Sequence, residues 1–129
     1  MNKLINVHVF NDLLDQLLEF LDDSFSHYRS DIILAKTTLD MLRKSNYRLV
    51  VIQFKKYIEP YTKQINDCDE NFFINAAANV NLKDQNQDFF LKSMKIKNIW
   101  LAPTTTKKQK AIIFYYFQQL LITSSKCNF

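Results

Sequence analysis

The segment "YIEPYTKQINDCDENFFIN", residues 57–75, brings a proline, three crowded acids and two adjacent phenylalanines together. Pro60 must end or kink the helix before it, because proline removes a backbone donor and disfavours the helical conformation at the preceding residue. The same proline suits the first turn of a new short helix, which we place from Pro60 to Ile65. The acids that follow belong either to a working site or to the scaffold, and their spacing distinguishes the two.

The three acids, Asp67, Asp69 and Glu70, are typical of a helix start. Asp67 or Asp69 can accept hydrogen bonds from the free N–H groups of a first helical turn. Acids there also complement the helix dipole, and each effect is worth on the order of 0.5–2 kcal/mol. The turn contains Phe72 and Phe73. We therefore predict that the acids start a short helix and set both phenyl rings in the interior of a helical bundle.

A calcium loop is the alternative for these acids, and it fails on spacing. Asp67, Asp69 and Asn71 match the first three ligand positions of an EF-hand loop. The position that requires glycine is Phe72, and the position of the bidentate glutamate is Ala78. The sequence therefore predicts no metal site in this segment.

The chain before this segment has helical periodicity. Apolar residues recur at spacings of three and four, with acids between them, which predicts a helix over about residues 5–27. Ser30 or Asp31 is expected to supply the oxygen cap of a second helix, over about 31–45. Four apolar residues share one face of that helix and form its buried stripe: Ile32, Ala35, Leu39 and Leu42.

A third helix is predicted for residues 47–59, starting after Asn46. The β-branched run 50–52 makes a strand the rival interpretation. Phe54 and Ile58, four residues apart, favour the helix.

Downstream of the acids, the pattern predicts a loop and two further helices. Residues 76–87 lack periodicity and are predicted to form the loop, followed by a helix over about 88–102. Thr106 and Gln109 have the spacing of a capping box. The helix that they start, over about 107–124, is apolar nearly all round, which predicts that it is the central and most buried helix.

The composition supports one helical domain. The chain has 129 residues, of which 47% are hydrophobic and 14% aromatic, and none is glycine; average usage would give roughly nine glycines. The absence of glycine excludes a P-loop, a dinucleotide fingerprint and a nucleophile elbow, and it argues against a hairpin-rich β fold. We predict an all-α fold, a compact single-domain bundle over residues 1–129 with five to six helices around the C-terminal helix.

No group of residues predicts a catalytic or metal site. His8 and His27 lie about 30 Å apart on the first helix, too far to share a metal. Cys68 lies between two acids, the opposite of the surroundings that activate a thiol. Cys68 and Cys127 are expected to be reduced thiols, since no secretory signal precedes them. No uncharged apolar run is long enough to span a membrane. We therefore expect no enzyme, no cofactor and no membrane association.

Charge is distributed unevenly along the chain. Residues 1–40 hold seven acids and three bases, a net charge of −4, and residues 41–129 hold fourteen bases and six acids, a net charge of +8. Lysines that follow the last acid form a candidate patch for nucleic acid or an acidic partner. The alternative is that they only keep an apolar half of the chain soluble. The patch consists of Lys92, Lys95, Lys97, Lys107, Lys108 and Lys110.

Four segments together resemble a small helical protein family encoded by nucleocytoplasmic large DNA viruses, which include algal and giant viruses. They are "FNDLLDQLLEFLDDSF", "DIILAKTTLDMLRKSN", "VIQFKKYIEPYTKQINDCDENFF" and "NIWLAPTTTKKQKAIIFYYFQQLLITS". The likeness covers most of the chain, and Tyr47, where the family pattern has proline, is a departure. The matching positions are Phe54, Lys56, Tyr57, Pro60, Tyr61, Ile65, Asp69, Glu70, Phe72, Phe73, Trp100, Tyr116, Phe117 and Gln118.

The resemblance implies a viral origin and an all-α fold, and it brings no catalytic activity. The expected function is that of a non-enzymatic structural or protein-interaction protein in the virion or in the viral factory of the host cytoplasm. A viral protein partner is expected, and a homo-oligomer is considered. The alternative is a nucleic-acid-associated factor in viral transcription or genome packaging. Four aromatic residues become docking anchors if their rings are exposed: Tyr61, Phe72, Phe73 and Trp100.

Overall fold

The apolar stripes of the sequence fold into helices that enclose one continuous core. The computed structural model describes residues 4–75 and 96–127, and within these two ranges the chain forms helices and no strand. The α-helices are α1 (Leu4–Ser24), α2 (Arg29–Ser45), α3 (Leu49–Tyr57), α4 (Thr62–Asn66), α5 (Asn71–Asn75), α6 (Ile96–Leu101) and α7 (Lys107–Ser125). Two 3₁₀ turns, Ser26–Tyr28 and Glu59–Tyr61, join neighbouring helices.

The predicted all-α fold is confirmed. The rival strand over residues 48–58 is wrong, because Leu49–Tyr57 is helical. The described ranges hold seven α-helices where five or six were predicted, and segment 62–75 contributes two of them, α4 and α5. The predicted loop over 76–87 and the first part of the helix over 88–102 lie outside the described residues.

The start of α2 differs from the prediction. The 3₁₀ turn leads directly into α2, so the N–H groups of Tyr28 and Arg29 bond to the carbonyls of Phe25 and Ser26. An oxygen cap is therefore not needed, and α2 has no side-chain cap. Asp31, predicted as a cap, instead lies in the first turn of α2, where an acid complements the dipole.

The start of α3 also differs from the prediction. The third helix was predicted from residue 47, directly after Asn46, but α3 begins at Leu49. The side-chain oxygen of Asn46 accepts the N–H of Arg48 at 3.1 Å, and its carbonyl accepts the N–H of Leu49 at 2.9 Å. Asn46 therefore closes a turn that reverses the chain between α2 and α3.

The core lies where α1, α3 and α7 meet. Helices α1 and α7 run antiparallel, since Phe20 packs near Tyr116 and Asn6 reaches the carbonyl of Lys126. Helix α2 packs on α1 and α3, while α7 packs on α1, α3 and α4, so α1 and α3 lie between α2 and α7. The largest fully buried side chains include Phe10, Phe54, Phe73 and Phe117.

Helix α7 is central in its packing but is not buried all round. Its inner face holds five large buried residues, whereas Tyr115 and Ile122 on its outer face are exposed. The apolar pattern of α7 therefore continues onto an outer face that no described residue buries. The buried residues are Ile113, Phe114, Phe117, Leu120 and Leu121.

Candidate functional site

Helix α4 ends in a Schellman motif, which forms the turn between α4 and α5. The N–H of Asp69 bonds to the carbonyl of Gln64 at 2.9 Å, and the N–H of Cys68 bonds to the carbonyl of Ile65 at 3.1 Å. This pair of bonds requires a left-handed residue after the helix, and Cys68 has a φ of 55°. A cysteine thus stands where glycine is the usual choice.

Asp69 then starts α5, as predicted. Its carboxylate accepts the N–H of Asn71 at 3.0 Å, and its carbonyl accepts the N–H of Phe72 at 3.1 Å. Asp67 instead takes the C-terminal cap position of α4. Of the two aspartates, only Asp69 is shown to accept a backbone N–H with its carboxylate.

Glu70 connects three helices. Its carboxylate accepts the indole N–H of Trp100 in α6 at 3.2 Å and pairs with Lys110 Nζ in α7 at 3.3 Å. The same Nζ lies 5.3 Å from the centre of the Trp100 ring, within range of a cation–π contact. The three side chains form a clamp over the end of the aromatic core.

Beneath this clamp lies an aromatic nest. Phe73 stacks on Trp100 with ring centres 4.5 Å apart and lies 5.1 Å from both Phe114 and Phe117. Phe72 meets Phe73 edge to face at 4.9 Å. The nest consists of Phe72, Phe73, Trp100, Phe114 and Phe117, and all five rings are buried.

This burial decides the role of the predicted docking anchors. Phe72, Phe73 and Trp100 are at most 8% exposed and have no open face for a partner. Tyr61 is half-buried and packs on Phe72 at 5.3 Å. The four aromatic residues build the core, so a docking surface has to be sought elsewhere.

The lysines of the predicted patch have different environments. Lys107 and Lys108 are exposed in the first turn of α7, and Lys97 is half-buried on α6. Lys110 forms an ion pair with Glu70, so its charge is not free to serve the predicted patch. Lys92 and Lys95 lie outside the described residues.

A polar cluster between α3 and α7 is absent from the sequence prediction. Lys55 Nζ donates to the carbonyl of Ser124 at 3.0 Å and lies 3.5 Å from Glu59. The hydroxyl of Ser124 donates to Glu59 at 2.9 Å. Ser124 is fully buried, so this hydroxyl has no path to a substrate, and the cluster joins the two helices.

The thiol of Cys127 lies beside this cluster. Burial raises its pKa, while the charge of Lys55 lowers it and that of Glu59 raises it by smaller amounts. The thiol contacts the carbonyl of Thr123 at 3.6 Å. A buried thiol with a raised pKa is a poor nucleophile, so Cys127 serves the packing.

Arg43 forms a second polar connection between helices that the sequence did not predict. Its guanidinium donates to Asn11 at 2.8 Å and to Asp15 at 2.9 Å, which ties α2 to α1. Asn11 is buried and also bonds the carbonyl of Val7. The partners lie 28 and 32 residues from Arg43 in the sequence, and no local pattern announces such a pair.

Two exposed apolar faces are the other unpredicted feature. On α2, Ile33, Leu34 and Met41 are 49%, 65% and 66% exposed. On α7, Tyr115 and Ile122 are 56% and 51% exposed. The α2 face is defined as Ile33, Leu34, Thr37, Thr38 and Met41. The α7 face is defined as Ala111, Tyr115 and Ile122.

Residues 4–75 and 96–127 hold no group of three or more His, Cys, Asp or Glu side chains that could bind a metal ion. His8 instead contacts the hydroxyl of Tyr47 at 2.8 Å. In the same part of the chain, no helix is long and apolar enough to cross a membrane.

Comparison of the chain with protein-family models, with curated proteins and with solved structures gives no match. Its function is therefore inferred from the chemistry of the described residues and from the resemblance noted above.

Proposed function

We propose that the chain is a non-enzymatic structural or protein-interaction protein of a large DNA virus, carried in the virion or working in the viral factory. The observation that carries this proposal is the pair of exposed apolar faces, on α2 and α7. Large apolar side chains that are exposed on one side of a helix suit contact with another protein. The viral setting rests on the sequence resemblance.

The α7 face suits a protein partner. Residues 111–125 include no charged side chain, so a partner can cover this face without removing a charge from water. Tyr115 presents an apolar ring with a polar tip, a combination enriched at protein interfaces. We assign the α7 face to a viral protein that presents an apolar surface of its own.

Three groups of polar side chains support the same proposal because they bond within the fold, and among them only Arg43 Nη2 is buried without a partner. The Ser124 hydroxyl is bonded to Glu59, and the Arg43 guanidinium is bonded to α1. Glu70 is held between Trp100 and Lys110. In this chain, side chains of the types that serve catalysis in other proteins join one helix to another.

The test is the location of the chain in infected cells and particles. We expect quantitative mass spectrometry to find it enriched in purified particles over infected-cell lysate, and resistant to a high-salt wash because the contact is apolar. The double variant Tyr115→Glu/Ile122→Glu should lose this enrichment. The control Gln16→Glu/Thr104→Glu adds the same charge at exposed polar positions and should keep it. A chain found only free in the lysate would contradict the proposal.

A nucleic-acid-associated factor is the second candidate, and one observation favours it. Lys107 and Lys108 are both exposed at the start of α7, where no acid lies in the first turn. If this function applies, the chain should be retained on DNA-cellulose in a salt-dependent manner, and Lys107→Glu/Lys108→Glu should release it. Salt-insensitive association with particles, without retention on DNA, would favour the first proposal.

A further inference from the structure

A shallow apolar groove runs between α1 and α7 on the side of the molecule away from α3. On the inner side α3 closes the seam between these two helices, since Phe54 contacts Phe10 of α1 and Phe117 of α7. On the outer side the seam is lined by apolar residues that are only half-buried. They are Leu13, Phe20 and Tyr116.

The two walls of this groove differ in charge. On the α7 wall, Ile112 and Tyr115 lie beside the seam, and residues 111–125 include no charged side chain. The α1 wall presents acids at spacings of seven and four residues, which place them on one side of the helix. These acids are Asp12, Glu19 and Asp23. All three are exposed, and none forms an ion pair with a described residue.

The acids lie level with apolar residues on the other wall. The ring contact between α1 and α7 at one end and the bond to the carbonyl of Lys126 at the other fix the register of the two antiparallel helices. By this register Asp12 lies level with Ile122. Glu19 lies near the level of Tyr115. An acidic stripe and an apolar stripe therefore run side by side along about three helical turns.

A helix fits this groove better than an extended peptide. Both walls are helices whose backbone groups are bonded internally, so they offer no hydrogen bonds to an incoming main chain. An extended peptide would leave its own N–H and C=O groups unpaired against apolar side chains, whereas a helix satisfies them itself. Packed helices lie about 8–10 Å apart, so a third helix over the seam contacts α1 and α7 at once.

The acids determine which charge suits that helix. A neutral partner would take the carboxylates of Asp12, Glu19 and Asp23 partly out of water without a counter-charge, which costs free energy. Lysine or arginine along the edge that faces α1 pairs with them while its charged end stays near water. The edge that faces α7 meets no charge over residues 111–125 and is best apolar.

We propose that the groove between α1 and α7 binds an amphipathic helix of a partner protein, with basic residues along the edge that faces Asp12, Glu19 and Asp23. This inference rests on the proposed function and names the chemistry of the partner that meets the α7 face. The apolar contact supplies most of the affinity, and the ion pairs at the rim select the partner.

Two synthetic helical peptides test the proposal with the purified chain. Both carry leucines spaced as one apolar stripe over four turns, and they differ only in having lysines or glutamates along one edge of the stripe. Fluorescence anisotropy should show that the lysine peptide binds at least about tenfold more tightly than the glutamate peptide. Raised salt should narrow this preference, because the pairs are exposed. Equal binding of the two peptides, or binding of neither, would overturn the proposal.

Charge reversal locates the edge that the peptide lysines face. Asp12→Lys/Glu19→Lys should invert the preference, so that the glutamate peptide binds more tightly than the lysine peptide. The control Asp31→Lys/Asp67→Lys adds the same charge on α2 and at the C-terminal cap of α4, and it should keep the native preference. An equal change in both variants would show that net charge attracts the peptide and that the groove does not select it.

The apolar wall is tested by removing one ring. Tyr115→Ala should weaken binding of both peptides by a similar factor, about tenfold, because the ring contacts the apolar stripe that they share. Ile52→Ala, at an exposed position on α3, is the control and should change neither affinity. If Tyr115→Ala also leaves both affinities unchanged, the peptide binds elsewhere and the assigned groove is wrong.

The inference and the proposed function fail in different ways. A chain that is enriched in particles but binds both peptides equally contradicts the basic helix and leaves the proposed function in place. A chain that selects the lysine peptide but is never found in particles contradicts the proposed function alone. Self-association of the purified chain that Tyr115→Ala abolishes, measured by sedimentation, would assign the groove to a second copy and overturn the inference.

Discussion

The backbone of Cys68 has a φ of 55°, in the left-handed region where a Cβ atom crowds the following carbonyl. Glycine relieves this crowding, although its greater freedom in the unfolded chain offsets part of the gain. We expect Cys68→Gly to raise the free energy of unfolding by about 1 kcal/mol, measured by urea denaturation. Cys68→Ala keeps the Cβ and should give no such gain. Equal stabilisation by both changes would point to the thiol rather than to the backbone.

The thiol of Cys127 should make stability depend on pH. Burial raises its pKa above the ordinary value, so the folded chain holds this proton more tightly than the unfolded chain. Its contribution is complete below the ordinary thiol pKa, about 8.5, and is lost as the pH rises through the raised value. Urea denaturation at increasing pH should therefore show the native chain losing stability faster than Cys127→Val above that point. Parallel curves for the two chains would contradict this prediction.

At this scale, local interactions are predictable and distant ones are not. The capping box of Thr106 and Gln109 is present with both bonds, at 2.9 and 3.1 Å, because its two residues are three apart. The bond between Ser124 and Glu59 joins residues 65 apart. Nothing in the neighbourhood of either residue distinguishes it from an ordinary surface serine or glutamate.

Helices α5 and α6 are joined to α7 by packing of their aromatic side chains. Their apolar side chains pack into the aromatic nest, and Glu70 holds Trp100 and Lys110 over it. Glu70 thus acts between elements rather than within one.

Substitution of Glu70 separates its two contacts. Glu70→Gln keeps an acceptor for the indole N–H and loses only a surface ion pair, so the loss of stability should be below about 1 kcal/mol. Glu70→Ala also removes that acceptor and should lose about 1–3 kcal/mol. Fluorescence of Trp100, the one tryptophan of the chain, follows the unfolding. If the two variants lose the same stability, the indole bond has no role.

Helix boundaries show which signals the sequence contains. The first, second and last helices, α1, α2 and α7, lie within three residues of their predicted ends, because strong apolar periodicity marks them. The predicted side-chain cap of α2 is absent and α3 begins two residues later than predicted, and a 3₁₀ turn and an Asn turn precede these two helices. The exposed α2 face was missed because periodicity identifies a buried stripe but does not tell whether a neighbour covers the opposite side.

The aromatic nest joins α5, α6 and α7. Phe73 has no exposed surface and contacts rings from α5, α6 and α7. Phe73→Ala should lower the free energy of unfolding by about 3–5 kcal/mol, a large part of the roughly 5–15 kcal/mol of a typical domain. Tyr115→Ala, at an exposed ring, should change it by less than about 0.5 kcal/mol. Thermal unfolding followed by circular dichroism distinguishes the two.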